Sequence, residues 1–290
     1  MDRHTKLIYL PPHRWLILIV LFGLILFEAY ADQSPKRIVS LAPSVTESIY
    51  ALNAQDNLIG VTTYCDYPLD AKNKPKLGTL ISPNIEKVLS INPDLILTII
   101  GVNRIQAIEK LKNLGLKVIA FPESNNFNDI INNFLHLSEI LDKKTIAEEI
   151  IKTAKNEMNK LTEEITSVSH PRVFWQVNVK PLVTVGKNTF ANNIIELSGG
   201  TNIFSDVKDK YPRINYEEVI LRNPQVIILV TMGDVTAEQQ LFWQKFKQID
   251  AVHNNQIYVI DANLVCKPTI TCFLAGVKTI KGLIHKEPDE

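Results

Sequence analysis

Apolar residues in this chain fall in short unbroken runs, separated by stretches where they recur every third or fourth position. The runs at 37–41, 58–62, 95–100 and 117–121 predict strands. They do not alternate apolar and polar, which predicts a parallel sheet covered on both faces. Helices are expected from Ser44, over 84–90 and over 104–114. Ser44 and Glu47 have the spacing of a capping box, Asn84 is a ready N-cap, and Gly115 can close the third helix. Past residue 168 the pattern resumes, with strands at 172–177, 182–185, 226–230 and 257–260. A helix over 189–197 stops at Gly199-Gly200, and Trp175, inside a strand, is read as core.

Between these two regions the pattern changes. Ile146, Ile150, Ala154, Met158, Leu161 and Ile165 recur at helical spacing with Glu and Lys between them, and neither Gly nor Pro interrupts. One amphipathic helix over 145–166, about 33 Å long, is predicted. It is either a core helix of one domain or a rigid rod joining two lobes. A repeat favours the rod. Asn84, Glu86, Val88, Asn92 and Pro93 return as Asn215, Glu217, Val219, Asn223 and Pro224, at a constant offset of 131, each followed by an apolar run. Two related lobes, one on each side of the rod, explain this most economically.

Arg3, Lys6 and Arg14 surround the apolar run 15–27, and Ala29-Tyr30-Ala31 follows. That order predicts a secretory signal peptide over 1–31, cleaved after Ala31, since a membrane span needs about 20 apolar residues. The remaining divisions expected are a lobe over 32–144, a bridging helix over 145–168 and a lobe over 169–290. Lys+Arg and Asp+Glu both number 31, and removing the first 31 residues leaves 28 against 29. There is no charge excess to recruit nucleic acid or an anionic membrane. Cys65, Cys266 and Cys272 leave open one disulfide plus a free thiol, or none.

Enzyme motifs are missing: no G-x-S-x-G, phosphate-binding loop, G-x-G-x-x-G or H-E-x-x-H occurs. His136, His170, His253 and His285 are scattered and do not suggest a metal centre. A ligand cleft between lobes is the remaining option, walled by loops at the carboxyl ends of parallel strands. Three loops qualify, carrying Tyr64, Asp66 and Tyr67, then Tyr211, then Asp261. Tyrosine offers an apolar face with one hydrogen-bonding tip, which suits a large planar ligand with polar edges. Glu86 and Glu217 each sit in the first turn of a repeat helix, where the macrodipole favours a carboxylate. Equivalent in two lobes, they also suit docking on a two-subunit membrane channel.

The stretches RIVSLAPSVTESIYAL (37–52), VTTYCDYP (61–68), PNIEKVLSINPDLIL (83–97) and GGTNIF (199–204) resemble the periplasmic substrate-binding proteins of the vitamin B12 and ferric-siderophore uptake class. The resemblance runs from about Arg37 to the C-terminus. It implies an α/β fold of the class III, helical-backbone metal receptor type, with two Rossmann-like lobes bridged by one long α-helix. It also implies a periplasmic monomer that is not an enzyme, needs no cofactor and delivers cobalamin or a related corrinoid to an ABC permease dimer through Glu86 and Glu217. A haem or ferric-siderophore cargo is the first alternative, with Tyr64, Tyr67 or Tyr211 as axial ligand or Arg104, Arg213 and Lys267 as cationic partners. An α/β enzyme acting on a metal chelate is the second. Where vitamin B12-binding members line the cleft with Trp and Phe, this sequence has Leu80, Ile99 and Val177, and Tyr211 where Trp is expected. Ser198 stands at one position of a family cysteine pair. A Cys65–Cys266 disulfide bordering the cleft is one further option. A rod without a flexible linker predicts a small closure on binding.

Overall fold

The computed structural model describes residues 34–79, 81–101, 105–163, 165, 170–231 and 238–285. The first half runs β1 (Ile38–Ser40), α1 (Pro43–Ala51), β2 (Leu58–Val61), α2 (Ile85–Ser90), β3 (Leu95–Ile99), α3 (Ile105–Asn113), β4 (Val118–Phe121) and α4 (Phe127–Ile140). Its sheet has the order β2-β1-β3-β4, with every pairing parallel. After α5 (Lys144–Glu163) come β5 (Arg172–Asn178), β6 (Val183–Thr184), α6 (Phe190–Leu197), β7 (Thr201–Asn202), α7 (Tyr216–Arg222) and β8 (Val226–Val230). The second half closes with α8 (Glu238–Trp243), α9 (Asp250–His253), β9 (Ile257–Ile260), α10 (Ala262–Val265) and α11 (Ile270–Ile284). Its sheet has the order β6-β5-β8-β9; β6 is antiparallel to β5, and β7 pairs parallel with β5.

The inner strands β3 and β8 are buried along their whole length, which is why they read as unbroken apolar runs. Helix α5 buries Ala147, Ile151, Ala154 and Met158 and packs against α4 and α11. Its buried line lies one residue beyond the predicted Ile146 and Ile150, which instead pack at its edge. One buried cluster passes from Ile38 and Leu95 through Phe134, Ala147 and Ile151 to Val173 and Trp175. The two sheets are therefore separate hydrogen-bonded units that share a core beneath α4, α5 and α11.

The repeat is a repeat of hydrogen bonds. Asn84 Oδ1 accepts from Lys87 N at 2.9 Å and Asn215 Oδ1 from Glu218 N at 2.8 Å. Asn92 and Asn223 both take left-handed backbone, at φ 45° and 43°. Val88 and Val219 are both fully buried. Gly199 follows α6 at φ +85°, and a Cβ there would lie 2.8 Å from His285 Nε2, so only glycine suits this turn.

Two expectations change. The capping box does not form: α1 begins at Pro43 after Ala42, with no side-chain cap. Proline suits the first helical position because its missing N–H would be unpaired there anyway. Glu47 turns instead toward Lys267. Helix α4 is not singled out by the pattern above, although Asn126 caps it and Phe127, Ile130, Ile131, Phe134 and Leu137 form its buried face. The segment 1–31, Leu80 and Arg104 lie outside the described residues.

Candidate functional site

The carboxyl ends of the parallel strands of both sheets open onto one cleft of about 810 Å³. In size it falls within the roughly 300–1,000 Å³ usual for ligand pockets. From the first half come Pro43 and Ser44 after β1, Tyr64 and Asp66 after β2, Ile99 at the end of β3, and Glu123 and Ser124 after β4. From the second half come Trp175, Val177 and Asn178 on β5, Phe190 at the start of α6, Tyr211, and the turn from Asn263 to Pro268 after β9. The floor is apolar and the rim carries phenols, amides and hydroxyls. Such a surface takes a large flat face and hydrogen-bonds its edges.

Local structure explains how the rim is held. Cys65 is 1% exposed, with Sγ 3.2 Å from Thr46 Oγ1 and 3.1 Å from Thr62 Oγ1. Lys76 Nζ donates to the Cys65 carbonyl at 2.9 Å. This buried anchor leaves its neighbours Tyr64 and Asp66 on the cleft side. On the opposite rim, Gly186 N donates to Lys210 O at 2.8 Å. A Cβ at Gly186 would run into the Asp209 carbonyl, so the loop carrying Lys210 and Tyr211 sits this close only because residue 186 is glycine.

Two ion-pair bridges cross the cleft from the second half to the first. Lys210 Nζ lies 2.6 Å from Glu123 Oε2 and 2.7 Å from Asn125 Oδ1. Lys267 Nζ lies 3.0 Å from Glu47 Oε1 and 3.4 Å from Asp66 Oδ1. Burial works against the charge on Lys267, but Glu47 and Asp66 outweigh it and hold the ammonium above its usual range. For Glu47 burial wins over the attraction of Lys267, and its carboxyl is raised. Both groups are raised, which favours the charge on Lys267 and disfavours it on Glu47, because the carboxylate is the more deeply buried partner. Burial, helped by Cys272 and Asp261, pushes the Cys266 thiol up to about 12. It therefore faces the cleft as a neutral thiol, neither a nucleophile nor a thiolate ligand. Burial and the nearby Glu123 raise the Tyr211 phenol.

Of the residues expected at the site, Tyr64, Asp66 and Tyr211 line the cleft, as do Ile99 and Val177. Tyr67 does not; its ring lies behind, 5.9 Å from Lys267 Nζ, beside a separate groove with Leu69 and Lys72. Asp261 is also absent from the lining. It caps α10 by accepting from Asn263 N at 2.9 Å. Arg213 is exposed and outside the lining. Trp175 is fully buried as expected, yet it also forms part of the floor. All three cysteines are free, so the Cys65–Cys266 disulfide is not formed. Glu47, Glu123 and Phe190 are not expected at the site, and Lys210, which lies in the expected loop of Tyr211, is not singled out there. Glu86 and Glu217 are both exposed, in the first turns of α2 and α7. Among the described residues no cluster of His, Cys, Asp or Glu could hold a metal ion.

Two mostly parallel sheets joined through one long helix, with a cleft at their strand ends, define a class III periplasmic binding protein. The family model described as periplasmic binding protein matches residues 38–264. The chain belongs to this family, whose members bind small molecules and work with ABC permeases in the periplasm. A vitamin B12-binding protein of Pectobacterium carotovorum is 32% identical over 238 residues, covering 81% of this chain and 86% of the relative. The solved periplasmic vitamin B12-binding protein BtuF of Vibrio cholerae superposes with a TM-score of 0.77 at 27% identity, covering 87% of this chain and 97% of that one. A possible iron-binding protein of Staphylococcus epidermidis gives 0.77 at 28% identity, covering 88% and 100%.

Proposed function

We propose that this protein captures cobalamin or a related corrinoid in the cleft and carries it, chemically unchanged, to an ABC importer. The observation that supports this most is the cleft itself, an apolar floor of Ile99, Trp175, Val177 and Phe190 under a rim that joins uncharged polar groups to Asp66, Glu123 and Lys267. A corrin ring can lie on such a floor while its amide arms meet Tyr64, Tyr211, Asn178 and Asn263. The vitamin B12-binding relatives, matched over most of their length, point the same way. Aliphatic Ile99 and Val177 stand where aromatics are expected, and they preserve an apolar wall without stacking. The cargo's cobalt arrives already chelated, consistent with a cleft whose one thiol is neutral.

In this reading the protein works as a monomer after cleavage behind Ala31. Exposed Glu86 and Glu217, one per half, meet basic sites on the permease dimer; contacts of this kind steer and orient more than they bind. Titration of the purified protein with cyanocobalamin, haemin and a ferric siderophore tests the cargo, with Trp175 in the floor as the fluorescent reporter. Quenching by cyanocobalamin is expected. Silence toward it beside a strong response to either iron chelate would reassign the cargo. The double variant Glu86→Ala with Glu217→Ala is expected to bind normally while uptake falls; lost affinity would refute the docking role.

A further inference from the structure

We propose that the cleft is a charge filter: its lysines are tied to carboxylates of the opposite half, so it admits neutral macrocyclic chelates and rejects those with peripheral carboxylates. Among the described residues lining the cleft, Lys267 is the one cation, and Asp66 and Glu123 are the acids. Lys267 is already met by Glu47 at 3.0 Å and Asp66 at 3.4 Å, and its side chain is only 16% exposed. Lys210, beside the rim, is already met by Glu123 and Asn125. A ligand carboxylate entering here would have to displace a protein carboxylate from an ammonium. It would otherwise stay unpaired on a ligand bound against the apolar floor, close to Asp66 and Glu123. Either outcome is unfavourable, because desolvating an unpaired charge is costly and like charges at short range add to the cost. Neutral amide arms meet no such penalty, since Ser44, Tyr64, Asn178, Tyr211 and Asn263 offer uncharged donors and acceptors. The bridges thus act twice, joining the two halves and removing positive charge from the ligand's path.

The choice of ligand pair for the test rests on the corrinoid reading. Cyanocobalamin and its monocarboxylic acid derivative, in which one side-chain amide is hydrolysed, have nearly the same shape and differ by one negative charge. The unmodified protein is expected to bind the acid at least about tenfold more weakly, and high salt should narrow the gap. In Glu123→Gln combined with Glu47→Gln and Asp66→Asn, where Lys210 and Lys267 both lose their carboxylate partners, the ratio should fall toward one or reverse. Equal affinities in the unmodified protein would overturn the filter, whatever the variants do. If cyanocobalamin fails to bind, the corrinoid reading fails by itself, and haemin against its dimethyl ester then tests the filter. Tighter binding of the ester supports it. Equal or tighter binding of haemin, or no binding of any of the four, overturns it.

Discussion

In the first half Arg37 Nε donates to the carbonyl of Asn92, and in the second Arg172 Nε donates to that of Asn223, both at 2.9 Å. The backbone N of Arg37 donates to Asp94 Oδ2, and that of Arg172 donates to Gln225 Oε1, the residue at the repeat offset from Asp94. These matched bonds lie at the amino ends of the central strands, where a helix ends in a left-handed Asn and Pro leads into the sheet. The cleft lies at the other end of the same strands, and there the likeness stops. The first half supplies Tyr64, Asp66 and Glu123; the second supplies Trp175, Phe190, Tyr211 and Lys267. The scaffold end is duplicated while the ligand end has diverged. Acids now sit on one half and lysines on the other, so the halves attract each other across the groove they form.

The comparison can be challenged by paired substitutions. The largest difference is expected between Trp175→Ala in β5 and Val39→Ala in β1, both fully buried. Losing the indole should cost about 3–5 kcal/mol and losing two methyl-sized groups about 2 kcal/mol, read from denaturant midpoints. The bulkiest fully buried side chains, Trp175, Trp243, Phe174, Phe204 and Phe273, all belong to the second half, and equal losses would show that this difference carries no energetic weight. Next come the two bridges. Lys267→Met leaves Glu47, whose side chain is 11% exposed, without its counter-ion and should cost about 2–3 kcal/mol. Lys210→Met breaks a pair whose side chains are 38% and 43% exposed and should cost less than about 1 kcal/mol. The reverse order would show that the rim bridge, not the buried one, holds the halves together.

Smaller effects test the duplication. Asn84→Ala and Asn215→Ala each remove one helix cap and should each cost about 1 kcal/mol, since the two bonds are equivalent. A clear inequality in thermal or denaturant unfolding would mean that the repeat is one of shape and not of energetics. The smallest effect belongs to the second half alone, where Arg222 holds the Asp206 carboxyl below its usual range. With the folded value depressed, the stabilisation is present above the unfolded value near 3.8 and is lost as pH falls through the folded value. Asp206 is largely exposed, so Asp206→Asn should lower stability by under about 1 kcal/mol near neutrality. That difference should vanish in acid; a gap unchanged by acidification would remove Arg222 as the cause.

The alternation of strands and helices, the cap at Asn84 and the stop at Gly199 were legible in the chain because each is set within four residues of itself. The offset repeat was legible for the same reason, and the helix over 144–163 because its apolar spacing is regular. The capping box at Ser44 misled because Pro43 offers an earlier helix start. Asp261 has the local signature of a cap, and the structure uses it as one and not as a cleft wall. Tyr67 turns away from the cleft, and the sequence gives no sign of which way a loop turns once Cys65 is buried.

Sequence alone determined that this is an α/β chain with an offset repeat on either side of one long helix, since periodicity and capping report interactions between near neighbours. Only the tertiary structure decided which loops converge, that Lys267 reaches Asp66 across 201 residues, and that Trp175 belongs to both core and cleft. Such contacts depend on strand order and on how two sheets share one core, and no short stretch of chain carries a record of either.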